Sequence, residues 1–143
     1  MPTQINIESV GTMSIEIRAV NAQEIEPVRR LLASNGWAHR VADAVCFQSL
    51  LGNYDYCLLA LKNNTVVGFV RGISDDLSNG YISMLVVASD CRHQGIGRRL
   101  VEELTTKNRG VTWVLRASRG GSKEFFAHLG FVPSVDAMEL RRQ

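Results

Sequence analysis

The stretch "ISMLVVASDCRHQGIGRRLVEEL" (82–104) joins a continuous apolar run to an amphipathic helix pattern through two glycines. No other feature restricts the fold as strongly. The run predicts a strand over 81–87, and apolar character without alternation marks it as buried on both faces. Ile96, Leu100, Val101 and Leu104 fall on one face of a helix of about three turns. "VTWVLRA" (111–117) then predicts a second strand. Strand, helix and strand in that order make a crossover unit, so the two strands are expected parallel and the connection right-handed.

The turn itself invites an anion. The first amides of a helix lack intrahelical partners and carry partial positive charge. Glycine at 95 and 97 permits close approach of a ligand, and Arg92, Arg98 and Arg99 add charge. The pattern lacks the lysine and the spacing of a P-loop. Leu100 stands where a dinucleotide-binding fingerprint needs glycine. On spacing alone, a tight strand-to-helix turn with no ligand stays open.

The remaining chain reads as one unit of 143 residues, without repeats or linkers. "SIEIRAV" (14–20) alternates as a strand. "NAQE" (21–24) resembles a capping box, and Ile25, Val28, Leu31 and Leu32 form a helical face that "SNG" (34–36) ends. A second helix is expected over about 40–51, with Val41, Val45 and Leu51 buried. "YCLLALK" (56–62), "NN" (63–64) and "TVVGFVRGIS" (65–74) predict a hairpin. "DDLSNG" (75–80) is a turn-rich link, "SKEFFAHLG" (122–130) a short helix closed by glycine, and "FVPSVDAMEL" (131–140) a final strand. The fold class is α/β (α+β), a single domain with a central mixed β-sheet and flanking helices. Residues 1–13 are expected to precede a domain over 14–143, either disordered or as a short extra strand.

Composition closes off other classes. A net charge of +2 is small for a general nucleic-acid binder. Three cysteines without CxxC spacing support neither a disulfide framework nor a zinc site, and the histidines His39, His93 and His128 show no paired metal spacing. No leader or membrane-spanning run is evident, so a cytoplasmic protein without membrane partners is expected.

"VVASDCRHQGIGRRLVEEL" resembles the acetyl-CoA-binding segment of the GCN5-related N-acetyltransferase (GNAT) superfamily, with Arg92, Gly95 and Gly97 on its pattern. "SKEFFAHLGF" (122–131) is similar to that family's late helix, and the order of elements agrees over about 14–140. The resemblance implies acetyl-CoA as co-substrate and a small-molecule or peptide amine as acceptor. It implies that the segment Arg92, His93, Gln94, Gly95, Ile96, Gly97 and Arg98 holds the CoA pyrophosphate. Pantetheine would lie along Leu85, Val86 and Val87 where the parallel strands splay, with the amide near Leu85 polarising the acetyl carbonyl.

Three positions depart from the family's pattern. Ser83 stands where many members carry a glutamate base. Phe126 replaces a tyrosine acid, and Arg119 replaces an asparagine that contacts the cofactor, from where it could reach a phosphate. Asp75 and Tyr81 are alternative candidates for proton transfer, with His39 beside the acceptor wall. Arg116 is a candidate for binding an acceptor carboxylate. A site with no protein base is a further option. The competing reading is an acyl-CoA-binding sensor without turnover. A pair of chains joined through 119–140 is the expected mode of any homodimer.

Overall fold

The computed structural model describes residues 14–52, 56–107 and 109–143; the expectation for 1–13 lies outside them. Five strands form one sheet in the order β1 to β5: Ile15–Ala19, Cys57–Lys62, Thr65–Ser74, Asn79–Val87 and Thr112–Leu115. Neighbours are antiparallel except β4 and β5, which are parallel across the predicted crossover. The β2–β3 turn is made by Asn63 and Asn64, both with positive φ, a conformation that asparagine tolerates.

Two apolar layers cover the sheet. On one face, helix α1 (Ile25–Leu32) and helix α2 (Ala44–Leu50) pack Val28, Leu32, Phe47 and Leu51 against Leu59, Phe69, Met84 and Val86. On the other, helix α3 (Ile96–Thr106) and helix α4 (Ser122–His128) bring Leu100, Val101, Leu104 and Phe126 onto Ala60, Val70 and Ile82. Asn21 forms the expected capping box with Glu24, opening a short 3-10 turn that runs into α1. The helical path after α1 breaks at Asn35 and at Gly36, whose φ is +95.

β4 changes face partway along. Ile82 packs in the α3 layer, whereas Met84 packs in the α1 layer. Residues two apart on a regular strand share a face. The register explains the switch: Arg71 pairs with Met84 and Gly72 with Ile82, so Ser83 is an extra residue, a β-bulge. β5 pairs only with the first part of β4, from Asn79 to Ile82. The edge from Ser83 to Val87 therefore faces no strand on the β5 side among the described residues.

Two expectations are corrected. Asp43 caps α2 with its carboxylate on the Val45 and Cys46 amides, and this start turns Phe47 and Leu51 inward and leaves Val45 exposed. Residues 131–140 form no strand. Val132, Val135, Met138 and Leu140 are almost fully exposed. Their spacings of three, three and two do not match the period of two, and Pro133 offers no amide for a ladder. Among the described residues no helix is long and apolar enough to cross a membrane.

Candidate active site

The splay between β4 and β5 opens a cleft of about 920 Å³. Its floor is β4 from Ile82 to Val87. One wall is the turn into α3, and the other is the segment from Leu115 into α4. The broken helical turn Ser34–Trp37 stands over one side.

The α3 end suits an anion. Gly95 is the N-cap residue with φ +82, and no side chain caps the helix start. A side chain at Gly95 would meet nothing within 4 Å, so its conformation, rather than crowding, demands glycine. Gly97 differs: an added Cβ would lie 3.2 Å from the Phe125 ring, which closes the cleft from α4. Phe125 also stacks edge-on against the buried Phe126, with ring centroids 5.0 Å apart.

Most of the expected cofactor residues line this cleft. Leu85, Val86 and Val87 form its floor, and Arg92, His93, Gly95, Ile96, Gly97 and Arg98 form the turn. Gln94 does not line it; its side-chain oxygen accepts from Lys62 Nζ at 3.4 Å. The charges are placed differently from the expectation. Arg92 donates to the Val87 carbonyl at 3.1 Å and to Asn35 Oδ1 at 3.2 Å. Arg98 pairs with Glu102, and Arg99 reaches back to the Ile15 carbonyl on β1. Arg119 lines the cleft but stacks on Trp37, 4.0 Å from the ring centroid, and donates to the Gly36 carbonyl. Arg119 and Arg92 thus tie the Ser34–Trp37 turn across the mouth of the cleft.

The proton-transfer candidates separate. Asp75 is a turn clamp: Oδ1 accepts from the amides of Leu77, Ser78 and Asn79, and Oδ2 accepts from Ser78 Oγ. These donors hold its carboxyl well below the usual carboxylate range, so it is a poor base. Neither Asp75, Tyr81 nor His39 lines the cleft; Tyr81 sits between Ile73 on β3 and Val114 on β5. Arg116 lines it, but its guanidinium pairs with Glu139 at 2.9 Å. Ser83 lies on the floor, where its Oγ accepts from Arg71 Nη1 at 2.8 Å. No aspartate or glutamate of the described residues lines the cleft, and those residues hold no cluster suited to a metal ion. Sequence reasoning missed Arg71 and Phe125. A lone arginine inside the apolar run "VVGFVRGIS" was the available signal.

Solved structures share this architecture. A putative GNAT acetyltransferase from Xanthomonas campestris aligns with a TM-score of 0.73 at 20% identity, over 90% of this chain and 94% of that one. The GNAT-family protein SP0256 from Streptococcus pneumoniae aligns at 0.68 and 21%, over 91% and 98%. Aminoglycoside N-acetyltransferase AAC(6')-Iy, in complex with CoA, aligns at 0.72 and 16%, over 91% and 95%. At such identities the likeness speaks for the fold. No curated protein matches the chain in sequence. The family model described as "Acetyltransferase (GNAT) domain" matches residues 53–133, more than half of the chain. By that match, on this fold, the chain belongs to the GNAT acetyltransferases and is an acetyltransferase enzyme.

Proposed function

We propose that the protein moves an acetyl group from acetyl-CoA to a primary amine of a small molecule, amino-acid-like compound or peptide, by direct attack in a ternary complex. The observation that carries this reading is the open β4 edge, Ser83–Val87, running toward an uncapped helix N-terminus with glycine at 95 and 97. Amides at the start of α3 would hold the pyrophosphate. The backbone from Leu85 along the side of β4 that faces no strand would pair with pantetheine as a strand does, up to the Val87 carbonyl that Arg92 holds. An amide at Leu85 or Val86 would stabilise the negative charge that develops on the acetyl oxygen.

As the amine's C–N bond forms, the C–S bond breaks and the thiolate leaves. A thiol of pKa about 8.5 is a fair leaving group without an acid, which suits phenylalanine at 126. The amine's proton passes to solvent, since Ser83 is held as an acceptor by Arg71 and no acidic side chain of the described residues lines the cleft. Alignment on a rigid floor and fixed backbone dipoles would supply most of the rate.

The test is CoA release from acetyl-CoA with and without a pooled panel of amines, amino acids, polyamines and peptides. Acceptor-dependent release is expected. Acetyl-CoA binding without release for any acceptor would favour the sensor reading, and absence of acetyl-CoA binding would overturn both.

A further inference from the structure

Three arginines of the described residues are not fully exposed: Arg18, Arg29 and Arg71. Arg18 is held by Glu24 and Arg29 by Glu26. Arg71 has no such partner. No carboxylate of the described residues lies within ion-pair distance of it, and its one protein acceptor is Ser83 Oγ. Its cross-strand neighbours are Cys57 and Met84, both buried. Burial pushes the Cys57 thiol up to about 11, so it carries no charge at neutral pH. A guanidinium stays protonated even there. A half-buried charge without a counter-ion is costly unless something pairs with it.

The geometry shows where a counter-ion would come from. Ser83 is the bulge residue of β4 and lies on the cleft floor. Its oxygen accepts from Arg71, so its own hydroxyl proton is available to donate. With one lone pair taken by Arg71, the Ser83 hydroxyl can turn its proton to the cleft, backed by a guanidinium that does not itself line it. It is also remote from the phosphate end. Four residues of strand separate Ser83 from Val87, about 13 Å. Leu85, whose amide faces the reacting carbonyl in the proposed mechanism, is two residues away, about 7 Å. One hydrogen bond plus the short reach from a carboxylate to its α-amino nitrogen spans that distance. The charged side chains of the described residues that line the cleft are four arginines, Arg92, Arg98, Arg116 and Arg119, a setting that repels a polycation.

We infer that the acceptor carries a carboxylate next to its amine, as an α-amino acid does, and that Ser83 on the cleft floor donates to that carboxylate while the Arg71 guanidinium behind it supplies the counter-charge. This rests on the acetyl-transfer reading above. It makes Arg71 a specificity-determining residue that the sequence pattern of the family does not mark.

The test compares matched acceptors: α-amino acids, their amides and polyamines, each corrected for the neutral fraction of its amine. The wild type should favour the acid over its amide by tenfold or more in kcat/KM. Arg71→Gln should raise KM for the acid by at least tenfold, erase the preference and leave acetyl-CoA affinity unchanged. Ser83→Ala, which removes only a hydroxyl, should weaken the preference in the same direction if Arg71→Gln does not fold. A parallel titration of N-acetylated amino acids and their amides into the CoA-loaded protein reads the carboxylate site without turnover. Equal handling of acid and amide in both assays, or a preference untouched by either variant, overturns the inference while acetyl transfer to other amines still stands. Binding of acids through Arg71 with no acceptor ever acetylated would keep the carboxylate site and remove the transfer reading.

Discussion

Asp75 and Gly80 show how single residues near the cleft serve the fold. Asp75 gathers three amides and a hydroxyl at the start of the link into β4. Its folded pKa is depressed. The stabilisation is therefore present above the unfolded value of about 4 and is lost as pH falls through the folded value. In melting curves, the gap between wild type and Asp75→Asn should be widest near neutral pH and should narrow below about pH 4. A gap that persists undiminished at low pH would contradict the clamp. Gly80 answers to sterics instead. An added Cβ would lie 2.6 Å from the Trp113 ring, far inside contact distance. Gly80→Ala should destabilise the protein by about 1–3 kcal/mol through overpacking, measured by denaturant unfolding.

Two elements border the cleft, and only one of them is expected to matter to it. The first is the start of α3. Gly95 has φ +82 with open space above it. Gly95→Ala adds strain of about 1–3 kcal/mol at a left-handed position and puts a methyl group at the cleft. Acetyl-CoA affinity, read by calorimetry, should fall about tenfold or more while the fold persists. The second is the C-terminal segment. Residues 132–143 are all exposed, and their described tie to the sheet is the Glu139–Arg116 pair. A surface pair is worth about 1 kcal/mol or less. Truncation after Phe131, which keeps the Phe126–Phe131 ring contact, should shift Tm by no more than about 4 °C. A much larger loss would mean that the segment packs as the strand its composition suggests.

At the scale of the molecule, the cleft draws on both ends of the chain. α1 and its broken extension supply Trp37 and Asn35, β4 supplies the floor, and the region after β5 supplies Arg119 and Phe125. Among the described residues this assembly places no carboxylate in the cleft. Under the proposed reaction, the acceptor amine then arrives neutral. Between pH 6 and 9, kcat/KM should rise about tenfold per pH unit until it levels at the amine's own pKa. A plateau well below the pKa of the amine would instead assign a base on the protein.

The sequence by itself determined the strand-to-helix turn at Gly95, the parallel crossover, the hairpin at Asn63 and Asn64 and the faces of α1 and α3. Each follows from spacing within one segment, which local sterics and periodicity govern. It carried the family likeness too, because the glycine turn and the late helix are contiguous stretches. Tertiary structure alone decided the rest. Ser83 became a bulge through the register between β3 and β4. Arg99 turned to β1 and Arg119 to Trp37, although both stood in stretches that pointed toward the phosphate. Arg116 found Glu139, while Arg71 found no acid among the described residues. A residue's charge is written in the sequence, but whether it has a partner depends on what other strands bring beside it.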